Sequence, residues 1–182
     1  MSEHMPASIK IGGQIDPALV PRLCEVIGRE QISLEFGEDC FTPGTAEDLL
    51  AARMEDNGAI VLQLCDDQAR LGWFETLEQF LQHSGISFDR QTDANFEFGA
   101  CLAQFRPGRP PRVLPTDSQG RPVVEIAAVR PAALRLAHAI RQFERAPKRR
   151  RLEPFRRIHR QLQQVLPVPV SPLPNFTIGG DH

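Results

Sequence analysis

The sequence predicts an α+β fold. It reads as a ferredoxin-like sandwich built from two β-α-β units with an inserted helix, plus a C-terminal helical, Pro-rich extension. Three observations predict it. The segments "LCEVIGREQISLEF" (23–36) and "LEQFLQHSGISFDR" (77–90) repeat each other, each with a leucine nine residues ahead of an Ile-Ser pair. Of the 16 prolines in 182 residues, twelve lie from Pro107 onward. The formal net charge of -2 hides a split: residues 1–105 carry six Lys and Arg against eighteen Asp and Glu, and residues 106–182 carry fifteen against five. The expected division is therefore an acidic α/β domain over 1–105 and a basic arm over 106–182, with two helices and an extended tail.

The first unit begins with "ASIKI" (7–11), which alternates as a strand. "GGQIDP" turns, Asp16 caps a helix, and Pro17 suits its first position. The helix buries Leu19, Leu23, Val26 and Ile27 and runs into the strand "ISLEF". Next, "TAEDLLAARMEDNG" reads as the inserted helix, with Thr45 as cap, Asp48 three residues on and Gly58 as the stop. In the second unit "AIVLQL" (59–64) is a strand, and "DDQARLGWF" leads into a helix burying Phe74, Leu77, Phe80 and Leu81, ended near Gly85. "ISFDR" and "NFEFGACLAQF" form a hairpin across "QTDA", with Phe88, Phe96 and Phe98 at alternating positions.

From Arg106 the text becomes "RPGRPPRVLPTDSQGRP", which forbids a regular helix and reads as a linker or extended arm. "VVEIAAV" (123–129) reads as one more strand, and Pro131 as the opening of a helix with the stripe Ala133, Leu136, Ala137, Ile140 and Phe143. A second helix carries Pro154 in its first turn and buries Phe155, Ile158, Leu162 and Val165, and Pro167 ends it. The tail "LPVPVSPLPNFTIGGDH" favours polyproline II, with Val168, Val170, Leu173 and Phe176 apolar enough to be buried.

Charge supplies the functional candidates. "RAPKRRRLEPFRRIHRQ" (145–161) places Lys148 and seven arginines in seventeen positions. Arg149, Arg150 and Arg151 fall at an inter-helix junction, while Arg156 and Arg160 share a helix face with Arg157 beside it. Arginine's planar fork suits phosphate, so these six residues are the expected contacts to DNA or RNA, without base specificity. Pairing with the acidic half, within a chain or by self-association, and a nuclear-import role for "PKRRR" are the competing readings. Glu35, Glu38, Asp39, Asp48 and Glu55 form the expected acidic face, with Glu47, Asp56, Asp66 and Asp67 nearby. Such a face can act as a nucleic-acid decoy on a protein partner, or simply keep the chain in solution.

Other chemistry finds little support. Cys24, Cys40, Cys65 and Cys101 match no zinc or redox spacing, and Cys40 sits among acids that disfavour a thiolate. The five histidines are scattered, and "IGGQID" lacks the third glycine of a dinucleotide fingerprint. "SIKI" and "ISLEF" also lack the paired aromatics of a sheet face that stacks RNA bases. No run approaches the ~20 apolar residues of a membrane span, and "MSEHMPASIK" does not read as a secretory signal. The expectation is a cytoplasmic, non-enzymatic binding protein with no catalytic residue, cofactor or metal, or failing that an enzyme whose site one sequence does not reveal.

Overall fold

β1 (His4–Gly12) turns Met5, Ala7, Ile9 and Ile11 inward, and this alternation makes it the centre of the structure. The computed structural model describes residues 4–94, 98–143, 152–166 and 170–179. Around β1 stand β3 (Arg53–Asp56), β4 (Ala59–Arg70), β5 (Ser87–Thr92), β6 (Cys101–Phe105) and β7 (Arg112–Pro115). They form a six-stranded sheet in the order β3-β4-β1-β5-β6-β7, with every neighbouring pair antiparallel. The register sets Ile9 against Leu64 and Arg90, and Ile11 against Leu62 and Phe88.

Two helices supply the other layer of the core. α1 (Val20–Glu30) buries Leu23, Val26 and Ile27, and α3 (Glu75–His83) buries Leu77 and Leu81. These join Ile9, Ile11, Leu62, Leu64 and Phe88 in one cluster. Each fully buried aliphatic or aromatic side chain there contributes about 1.5–3 kcal/mol. The Asp16 side chain accepts from Ala18 N as expected, opening a 3-10 turn (Pro17–Leu19) that leads into α1.

Several sequence expectations are corrected. "ISLEF" is not a strand: it meets the sheet only at an isolated Ser33–Cys65 bridge on β4. The expected inserted helix is α2 (Ala46–Ala51), half its predicted length. Its Thr45–Asp48 capping box is present, but Met54 and Glu55 lie in β3. Asn57 and Gly58 are the turn of a β3–β4 hairpin, with φ of 52° and 83°. Positive φ at both central residues is what a tight hairpin turn demands, and Asn-Gly supplies it cheaply. The strand expected over 59–64 continues through "DDQAR" to Arg70, and "LGWF" then leads into α3 as expected.

The chain falls into two compact units, residues 1–122 with 170–182, and residues 123–169. The expected boundary at 105/106 therefore falls inside a hydrogen-bonded hairpin, because "RVLP" is β7 and not a free arm. The C-terminal stretch returns to the first unit. β8 (Thr177–Ile178) pairs in parallel with β2 (Gln14–Ile15), and Phe176 is fully buried. Phe176 N donates to Ile60 O, and the Asn175 side chain accepts from Ile60 N. Gly12 permits this approach: a Cβ there would stand 2.1 Å from Pro174 O. Of the four apolar tail residues, Val168 lies outside the described residues, and Val170 and Leu173 are half-buried.

The second unit is a helical hairpin of α4 (Ile126–Phe143) and α5 (Glu153–Val165). "VVEIAAV" is not a strand, since α4 starts at Ile126 and Pro131 lies inside it. The Ala127–Ala128 pair continues the helix-forming run downstream, which outweighs the β-branched residues. The seam is formed by Ala132, Ala139 and Ile158, with Phe155 and Leu162 packed against them. Phe143 meets Phe155 edge-on, with ring centroids 5.8 Å apart. Of the expected α4 stripe only Phe143 reaches the seam, while Ala133, Leu136, Ala137 and Ile140 are exposed, one residue out of phase with Ala132 and Ala139.

Candidate functional site

α5 owes its form to a strict division of its residues. Pro154 sits in the first turn, where its missing N–H costs no helical bond. At roughly 100° per residue, Phe155, Ile158 and Leu162 share the face toward α4. Arg156, Arg160 and Arg157 occupy an arc of about 100° on the opposite side. All three arginines are exposed, and among the described residues no carboxylate lies within salt-bridge distance of any of them. Arg149, Arg150 and Arg151 lie outside the described residues. The second unit holds eleven Lys and Arg against three acids, a net of +8, leaving -10 for the first.

A groove of about 630 Å³ runs between α4 and α5. Arg135 and His138 line it from α4, and Arg157, Glu153 and Gln161 from α5, over Leu134, Ala139, Pro154 and Ile158. Gln161 Oε1 is buried without a hydrogen-bond partner among the described residues. The sequence reading missed Arg135 and His138; their i, i+3 spacing on one helix face was the available signal.

The first unit treats its cations differently. Arg106 grips both oxygens of Asp89, at 2.7 and 3.2 Å, and also donates to Phe88 O, Phe105 O and Ser171 O. Arg90, 2% exposed, stands 2.8 Å from Glu78 Oε1, donates to Gly72 O, and lies 5.5 Å from the centre of the Trp73 ring. Burial pushes the Glu78 carboxyl up, and the Arg90 charge opposes that shift. Lys10 pairs with Asp56, Arg121 with Asp117, and Arg22 and Arg29 with Glu25.

The predicted acidic face is brought together only in part. Glu38, Asp39 and Asp48 line a hollow of about 570 Å³, and Glu35 lines an adjoining one of about 580 Å³. The two share the apolar residues Leu34, Ala51 and Ala52. Glu55 is exposed on β3, outside both linings. Asp48 accepts from Gly44 N and Thr45 N, which hold its carboxyl below the usual range, so it serves the α2 cap. Asp56 and Asp67 are likewise engaged, with Lys10 and Gly37 N.

All four cysteines are free thiols. Burial pushes Cys65 up to about 11 and raises Cys24, which suits packing and opposes nucleophilic chemistry. Among the described residues no three His, Cys, Asp or Glu side chains gather as a metal site, and no helix is long and apolar enough to cross a membrane. The chain matches no protein-family model, no curated protein and no solved structure.

Proposed function

We propose that this is a non-enzymatic binding protein whose basic helical hairpin contacts nucleic-acid phosphates without base specificity. The observation that supports it most is the arc of Arg156, Arg157 and Arg160, exposed and without acidic partners among the described residues. Helix packing holds Phe155, Ile158 and Leu162 inward, so the arc is presented by a formed helix rather than by a loose tail. Phosphate contacts of this kind give affinity that falls steeply with salt. Fluorescence anisotropy with labelled DNA and RNA, titrated between 50 and 300 mM salt, tests it. Expected is binding at the low end and a linear loss of log affinity with log salt. Absence of binding at 50 mM salt defeats the proposal.

The carrier for this hairpin is, in this reading, a ferredoxin-like sandwich. The order β3-β4-β1-β5, all antiparallel, with α1 ahead of the β3–β4 hairpin and α3 ahead of β5, supports that assignment. β6 and β7 then extend the sheet at one edge. Four free thiols suit a reducing, cytoplasmic setting.

A second reading has one observation in its favour. Glu35, Glu38 and Asp39 rim adjoining hollows floored by Leu34 and Ala51, an acid-edged apolar surface of the kind that seats a basic protein segment. On that reading the protein is an adaptor or inhibitor whose acidic face stands in for nucleic acid, or associates with the basic hairpin of another copy. Charge reversal at Glu35, Glu38 and Asp39 is then expected to abolish capture of the partner and to lower any salt-sensitive self-association seen by sedimentation.

A further inference from the structure

We propose that the groove between α4 and α5 is a subsite for an unpaired nucleotide, so that the hairpin prefers single-stranded to duplex nucleic acid. This deepens the phosphate-binding reading and rests on it. The volume of about 630 Å³ lies within the range of small-ligand sites. Its chemistry has three parts, and a nucleotide has the same three.

Arg135 and His138 from α4 and Arg157 from α5 bring positive and hydrogen-bonding groups to the lining from two helices. They suit a phosphate. Leu134, Ala139 and Ile158 supply the apolar surface that the face of a base needs. Gln161, on the same lining, has a buried Oε1 with no donor among the described residues. An exocyclic amino group of adenine, cytosine or guanine, which thymine lacks, would satisfy it.

The outer arginines fix how a strand would run. Arg160 and Arg156 lie progressively further round α5 from Arg157, away from the groove. A backbone following them has one nucleotide beside Arg157 that can turn inward. In a duplex that base is stacked and paired, and extracting it costs energy that a single strand does not lose. Among the described residues the lining holds no Phe, Tyr or Trp, and its one aromatic ring is the His138 imidazole, so the base is held chiefly by apolar contact and hydrogen bonding. The preference is accordingly modest, about tenfold, the scale of one well-made polar contact.

The test uses the full chain and 12-nucleotide oligomers at 50 mM salt: oligo-dC, oligo-dT and a mixed-sequence duplex. Wild type is expected to bind oligo-dC about tenfold tighter than duplex and several-fold tighter than oligo-dT, which lacks an exocyclic amine. Arg135→Ala with His138→Ala, both at exposed positions, is expected to erase the single-strand preference by lowering oligo-dC affinity much more than duplex affinity. Arg156→Ala with Arg160→Ala is expected to weaken all three probes alike. Circular dichroism that matches wild type certifies that each variant folds. Equal wild-type affinity for single strand and duplex overturns the groove assignment and leaves the phosphate reading standing. So does a single-strand preference that survives Arg135→Ala/His138→Ala. No binding to any probe overturns both.

Discussion

The two units use the same side chain for opposite ends. In the first unit, Arg90 and Arg106 are buried among acceptors, and their charges hold strands, a turn and the C-terminal stretch in register. In the second, Arg156, Arg157 and Arg160 stand in solvent on a helix whose packing, among the described residues, is carried by Phe155, Ile158 and Leu162. The lesson is that cation count says little about binding; what matters is whether the fold has already engaged the cation. A chain of net charge -2 can thus present a strongly basic surface, because the second unit carries a net of +8 and the three α5 arginines have no acidic partner among the described residues.

The comparison breaks first if the C-terminal stretch is dispensable to the first unit. Phe176 is fully buried in the core beside Ile15 and Ile178. Phe176→Ala is expected to destabilise the protein by about 3–5 kcal/mol, read as a fall in urea midpoint. A midpoint unchanged to within experimental error would mean that the first unit folds without its returning tail.

Arg90 tests the engaged class directly. Arg90→Met leaves Glu78 buried without its counter-charge, a loss of about 3 kcal/mol or more at pH 7. The pH dependence carries the sign. Glu78 in the folded protein holds its proton more tightly than in the unfolded chain, so its ionisation costs stability as pH rises through the ordinary carboxylate range. The variant is therefore expected to recover relative to wild type as pH falls toward 4. Asp48 and Asp117 run the other way: their lowered values contribute stability above the ordinary aspartate range, and that is lost on acidification. Thermal melts of wild type and Arg90→Met from pH 4 to 8 separate the two trends.

The N-cap of α2 is a smaller matter. Thr45 accepts from Asp48 N in a complete capping box. Thr45→Ala is expected to cost about 1 kcal/mol, seen as a modest drop in urea midpoint with an unchanged slope. This cap was legible in the sequence because it is local: four residues contain the whole interaction. So were Asp16 as the start of a helix and the Leu23, Val26, Ile27 stripe. The β3–β4 hairpin was not, because Thr45–Asp48 began a helical pattern that Leu49 and Leu50 continued, masking the Asn57-Gly58 turn. β7 was hidden for a different reason: an edge strand tolerates Pro115, so proline density argued for an arm where the sheet simply ended. The α4–α5 groove depended on the phase of packing between two helices, and a stripe of Leu136 and Ile140 at helical spacing gives the wrong seam. The arginine arc of α5 survived because amphipathicity alone divides that helix.

That arc sharpens the comparison with the smallest effect on folding. Arg156→Ala, Arg157→Ala and Arg160→Ala are each expected to shift stability by no more than about 0.5 kcal/mol, as surface changes without partners do. The same substitutions are expected to act on binding. Each phosphate contact removed lowers the slope of log affinity against log salt by about 0.7 for a single strand and about 0.9 for a duplex. The triple variant should therefore lose close to three such steps while its melting curve overlays that of wild type. The reverse pattern, a destabilised fold with an unchanged salt slope, would mean that these arginines serve the structure as Arg90 and Arg106 do. The α5 arginines would then belong with the engaged cations of the first unit.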